Sequence, residues 1–167
     1  MLVRVNNPAI VFEKKIRGVN SGTLASFVTE ASRVVRLRAT VSVLITGNSA
    51  IRRLNSRFRG KDRPTDVLSF PPAASEDLAG DIAISIDIAS RNARLLGHSI
   101  SDEIQILILH GILHLAGYDH ENDGGKMARK ETLLRQRFGL PTGLIERNSA
   151  THTRKKSAIV PLRRSRT

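Results

Sequence analysis

The sequence has no cysteine, and its aromatic content is one tyrosine and five phenylalanines in 167 residues. Without thiols there are no disulfides and no thiolate metal ligands, a composition that suits a reducing cytoplasm. So few aromatic rings offer no platform for stacked bases, and no RNP-like stretch appears. Long apolar runs are also missing. The longest is short and carries His110 and His114, so no membrane span is expected. The N-terminus lacks the basic start and cleavable apolar run of a secretory signal. These absences point to a cytoplasmic protein with no membrane partner.

Acid is in short supply too: 15 Asp and Glu stand against 27 Lys and Arg, a net charge of +12. Such a balance favours polyanions, nucleic acid ahead of an anionic membrane surface. The charge is uneven. Residues 147–167 contain Arg147, Arg154, Lys155, Lys156, Arg163, Arg164 and Arg166 and no acid, which leaves +5 for residues 1–146. That end has little apolar periodicity, so a disordered basic tail is expected behind one domain spanning 1–146. Ala158–Leu162 is apolar enough to dock. A domain of this size buries roughly 68–70% of its unfolded surface, enough for a core without staples.

The chain is organised around Ser101–His120, SDEIQILILHGILHLAGYDH. Ser101 suits a helix N-cap, and Asp102 and Glu103 suit the positive end of the helix dipole. The following residues are apolar on nearly every side, which predicts a buried helix, and Gly117 stands where a left-handed stop is expected. Two histidines, His110 and His114, share one face of that helix. His120 follows just beyond Gly117, giving H-x3-H-x2-G-x2-H. A glycine turn can bring the third imidazole back to the first two. Three imidazoles leave a fourth position open, the pattern of a catalytic rather than a structural zinc. Unpartnered buried imidazoles would otherwise be costly. The spacing also matches the metzincin peptidases, except that their general-base glutamate is replaced by Gly111.

Around this helix the patterns predict a small α/β domain. Leu2–Val5 alternates and suits a first strand; residues 11–16 are ambiguous. Residues 23–37 have helical spacing, and Thr40–Thr46 is a β-branched strand. Asn48 or Ser49 is expected to cap a helix reaching Phe58 and stopped by Gly60. Asp66–Phe70 suits a short buried strand, residues 73–77 a turn, and Gly80–Ile86 a strand hairpin-like to the one before. Asp87 suits the cap of a helix to Leu96, with Gly97 as its stop. A last helix is expected over 121–138 with Met127, Leu133, Leu134 and Phe138 inward. The order β-α-β-α-β-β-α-α-α predicts a small four-stranded mixed sheet with helices packed on it and the histidine helix central.

HGILHLAGYDH (110–120) resembles the signature of the YbeY family, bacterial endoribonucleases of rRNA maturation. LNSRFRGKDRPTDVLSFP (54–71), GDIAIS (80–85) and the E-x6-HG arrangement from Glu103 to His110 are similar to the same family. The resemblance covers roughly residues 40–140. It implies a zinc-bound α/β fold that cleaves single-stranded RNA, acting in maturation of the 16S rRNA 3′ end and in ribosome quality control. It also implies His110, His114 and His120 as ligands of one Zn2+, and Arg59 as a catalytic arginine. No small-molecule cofactor is implied, and the oligomeric state is open.

The residues themselves agree with that chemistry. Three neutral imidazoles leave a divalent ion its full charge, which can polarise a phosphoryl oxygen and acidify a water. Phosphodiester cleavage builds negative charge, and a guanidinium such as Arg59 is a natural second stabiliser. Asp119 could orient a ligand imidazole or cap the turn, and Tyr118 could touch a phosphate or pack. Asp66 and Asp81 could reach the site or cap turns, and Glu103 is expected to cap its helix. Two other readings stay open: a zinc peptidase, and a non-enzymatic RNA- or ribosome-binding protein with a structural metal.

Overall fold

The computed structural model describes residues 7–72 and 78–141. Within them the chain runs β1 (Ile10–Phe12), α1 (Ser21–Val34), β2 (Thr40–Thr46), α2 (Asn48–Arg59), β3 (Val67–Phe70), β4 (Leu78–Ser85), α3 (Ile86–Leu96), α4 (Ile100–Leu115) and α5 (Lys126–Arg137). The four strands form one sheet in the order β1-β2-β4-β3. β1, β2 and β4 are parallel, and β3 pairs antiparallel with β4 at the edge. This is the mixed four-stranded α/β architecture that the patterning predicts. The candidate strand at Leu2–Val5, the turn at 73–77 and the basic tail from 147 lie outside the described residues. Among the described residues the first strand, Ile10–Phe12, overlaps the ambiguous 11–16 region.

Side chains alternate across the sheet, and each face has its own cover. Val41, Val43 and Ile45 of β2 and Ile82 and Ile84 of β4 pack with Leu24, Phe27 and Val28 of α1 and with the apolar body of α4. Leu68 and Ala83 point the other way and form a smaller cluster with Ile51 of α2, flanked by Leu54 and Phe70. α2 and α4 therefore lie on opposite faces of the sheet.

Both helices nevertheless run toward the same end of it. On α4, a Cβ added at Gly111 would stand 2.8 Å from Ile82 Cδ1, and one at Gly80 would stand 2.6 Å from Leu115 Cδ2. Going from 111 to 115 thus retraces β4 from 82 to 80. On α2, the Asn48 side chain meets the Ser85 hydroxyl at 2.6 Å. Ten residues later, Phe58 meets Phe70 with ring centroids 5.1 Å apart, and Phe70 is paired with Asp81. The last turns of α2 and α4 therefore flank the end of the sheet where β3 stops and β4 begins.

Several helix ends differ from the sequence expectations, and each has a local cause. Ser99, not Ser101, caps α4: its Oγ accepts from the Asp102 amide at 3.0 Å. Ser101 lies inside the first turn and bonds Gln105 instead. α1 starts earlier than residue 23 because the Asn20 side chain accepts from the Thr23 amide. Neither Asn48 nor Ser49 is the cap of α2. The chain enters from Gly47, and the Asn48 amide donates to Asp87 Oδ2 at 2.8 Å. Asp87 thus serves the neighbouring helix, while Ser85 caps α3. Leu133 is not inward but 63% exposed. A step of one residue turns a helix by about 100°, and the inward stripe of α5 is Met127, Glu131 and Leu134.

Candidate metal centre

His110 and His114 are held by α4, whose body is buried between sheet, α1, α3 and α5. The helix approaches β4 closely because residue 111 has no side chain. The missing glutamate of the peptidase pattern now has a physical reason. Position 111 faces Ile82, so a side chain there would meet the sheet and not the histidines.

After Leu115 the chain reverses. Gly117 takes φ 93°, a left-handed conformation cheap only for glycine. The Gly117 amide donates to the His114 carbonyl and the Tyr118 amide to that of Leu113, both at 3.0 Å. This turn presents two groups to the site. The Tyr118 carbonyl accepts from His114 Nδ1 at 3.1 Å, and His120 closes on the helical pair. Ring centroids are 4.8 Å apart for His110 and His114, 5.4 Å for His110 and His120, and 5.3 Å for His114 and His120. One nitrogen from each ring lies within 4.8 Å of the others, a group that can hold a metal ion.

The δ nitrogens decide where the lone pairs point. His110 Nδ1 faces the buried carboxylate of Glu131 at 3.1 Å. Acceptors at both δ positions fix the protons there, so the bare ε nitrogens of His110 and His114 face each other, 3.1 Å apart. Two lone pairs converging at that distance repel unless a cation lies between them. The donor set therefore fits a cation, and one His–carboxylate pair and one His–carbonyl pair supply the support that metal-bound imidazoles usually have. Burial pushes the His114 imidazole below its usual range, and the neighbouring His110 and His120 add to that shift. A ring kept neutral is the form that can ligate.

The other candidates fall into place around this centre. Asp119 caps the turn: its carboxylate accepts from the Asn122 side chain at 2.7 Å and the Glu121 amide at 3.1 Å. Those bonds hold its pKa below the usual carboxylate range. The imidazole partner that its neighbour position suggested is Glu131, on α5. Tyr118 contributes its backbone carbonyl. Asp66 accepts from the Val67 amide and Asp81 is an exposed residue of β4. Glu103 is not a helix cap. It is fully buried, 2.6 Å from His98 Nε2 and 3.4 Å from the Asn92 amide, and ties α3 to α4.

Arg59 is the last residue of α2. It is exposed, with no hydrogen bond or ion pair among the described residues. The fold does not bring it into contact with the three histidines. It stands at the same end of the sheet, across the β3 edge. The Asn55 side chain, itself buried, donates to the Arg63 carbonyl at 2.8 Å and holds the loop that follows α2 under the helix.

Glu131 is the member of this centre that sequence reasoning missed. Its signal was an acid in an otherwise apolar inward stripe, one turn after Met127 and one before Leu134. Counting Leu133 as inward blurred that stripe. α5 begins only at Lys126, because Gly124 and Gly125 take φ 63° and 84°. Asp123 accepts from the Gly125 and Met127 amides there.

This chain is similar in sequence to known proteins. The family described as Endoribonuclease YbeY matches residues 9–139. The Endoribonuclease YbeY of Koribacter versatilis is 52% identical over 149 residues, covering 89% of this chain and 96% of the relative. That of Solibacter usitatus is 45% identical over 139 residues, covering 83% and 93%. The solution structure of a Thermotoga maritima protein is 34% identical, with a TM-score of 0.49, over 74% of this chain and 84% of its own. The matched region takes in every element from β1 to α5 and all three clustered histidines, and the chain belongs to the YbeY endoribonuclease family.

Proposed function

We propose that this protein is a metal-dependent endoribonuclease that cuts single-stranded RNA, with one zinc ion held by His110, His114 and His120. The observation that carries this reading is the convergence of three imidazoles whose δ positions are pinned by Glu131 and the Tyr118 carbonyl. A set of nitrogen ligands without thiolate suits zinc, and nickel or copper could compete for it. When bound, the metal would supply positive charge to a phosphoryl oxygen and lower the pKa of a water toward neutrality.

The chain's own residues then have defined tasks. Glu131 keeps the His110 proton on Nδ1 and turns Nε2 toward the centre; the Tyr118 carbonyl does the same for His114. His120 is exposed and leaves one side of the centre open to substrate. Arg59, whose guanidinium has no hydrogen bond or ion pair among the described residues, grips phosphate oxygens and offsets the charge that grows on them during cleavage. In the cell this activity would serve maturation of the 16S rRNA 3′ end and ribosome quality control in the cytoplasm. The basic tail from residue 147 would add phosphate contacts. Among the described residues no helix is long and apolar enough to cross a membrane.

The peptidase alternative loses support at Gly111, where no side chain can reach the centre. A side-by-side assay separates the readings. The protein should cut single-stranded RNA in a chelator-sensitive reaction and leave duplex RNA and casein intact. Chelator-sensitive casein cleavage without RNA cleavage would replace the nuclease reading with the peptidase one.

A further inference from the structure

The fold assembles an aromatic feature that the composition conceals. Phe58, next to Arg59, is 58% exposed. Its ring meets Phe70 edge-to-face, centroids 5.1 Å apart, and the Arg57 guanidinium lies over one face of it, 5.4 Å from the centroid. This pair marks the end of the sheet toward which the histidine helix also runs. The helix that carries Phe58 has four arginines, Arg52, Arg53, Arg57 and Arg59, and no acid. Arg52 is neutralised by Asp62 at 2.7 Å. Along the exposed side of α2 lies a concavity of about 460 Å³ lined by Ser49, Arg52, Arg53, Ser56, Arg57 and Asp62.

We propose that Phe58 is a base-stacking subsite for the RNA strand, with Arg53 and Arg57 holding the phosphates that lead to it. This rests on the RNA-cleaving reading above and adds how the strand is gripped. A half-exposed ring beside guanidiniums matches the two needs of single-stranded nucleic acid, a flat apolar face for a base and cations for its backbone. Leucine at 58 would still give Phe70 apolar cover, so burial alone does not require an aromatic ring there. Stacking also gives a reason for strand selectivity. Bases in a duplex already have both faces covered, and only an unpaired base can lie on Phe58.

The sequence contains no tryptophan, so Phe58→Trp places a single indole at the subsite. Rapid mixing of this holoprotein with a short oligoadenylate should quench the indole, whereas an abasic strand of equal length and charge should not. Phe58→Leu, which keeps the apolar cover, should bind oligoadenylate about tenfold more weakly or worse and bind the abasic strand unchanged. Equal quenching by both strands, or oligoadenylate affinity unchanged in Phe58→Leu, would overturn the subsite. If wild type cuts RNA and Phe58→Leu binds and cuts alike, only the stacking role fails. If wild type neither binds nor cuts RNA, the nuclease reading fails and the subsite with it.

Discussion

At the residue scale, the clustering of His110, His114 and His120 could be read from spacing because the helix and the glycine turn fix their relation locally. Glu131 could not be read that way. Its partner His110 is 21 positions earlier, and nothing in local periodicity tells which helix an inward acid will meet. Asp119, adjacent in sequence, looked the better partner, yet short side chains in turns bond their own backbone first. Glu131→Gln keeps a carbonyl that can accept from His110 but removes the carboxylate charge. The protein should still fold, and metal affinity should fall about 10–100-fold, as read by chelator competition. An unchanged affinity would mean that the carboxylate does not support the ligand. For Arg59, Ala should lower the single-turnover rate at saturating protein by about 10²-fold, as for loss of an oxyanion donor. Lys should fall between, because it keeps the charge but loses the planar fork. A rate restored by saturation would assign Arg59 to binding alone.

At the element scale, alternation and helical spacing carried the order from α1 to α5, because binary patterning is a local property, whereas β1 at Ile10–Phe12 fell in a stretch whose pattern was ambiguous. Helix ends were less legible. The Asp87 carboxylate sits at the start of α3 but caps α2, a contact that exists only after β4 has placed the two helix ends side by side. The opposed placement of α2 and α4 was also hidden, since it follows from which face of β4 each covers. Gly111 is a point where α4 lies close on that strand. Gly111→Ala would set a Cβ 2.8 Å from the fully buried Ile82, and overpacking of this kind typically costs about 1–3 kcal/mol. Denaturant unfolding should show this loss, together with weaker metal binding as α4 is pushed from the sheet. Wild-type stability in Gly111→Ala would mean that the helix has room to spare.

At the scale of the whole molecule, charge organises function more than fold. The net +12 does not specify the sheet, yet the +7 of residues 147–167 lies beyond the last described helix. Composition revealed that segregation directly, while the placing of Arg57 over the Phe58 ring and of Phe58 against Phe70 needed the fold. Truncation after Glu146 should weaken RNA binding and flatten its dependence on salt, because fewer counterions are released from the phosphates. The rate of cleavage of bound RNA should be nearly unchanged. A salt slope equal to that of the full chain would show that the tail does not lie on the RNA.

The central claim is that three imidazoles hold the metal on which RNA cleavage depends. It is tested most directly by titrating metal-stripped protein with zinc while following single-turnover cleavage of a single-stranded RNA in the same preparation. Activity should rise linearly and break at about one equivalent, as expected for one tight site per chain. His114→Ala should neither retain the ion nor gain activity. Full cleavage by stripped wild type, or by His114→Ala carrying no metal, would contradict the account.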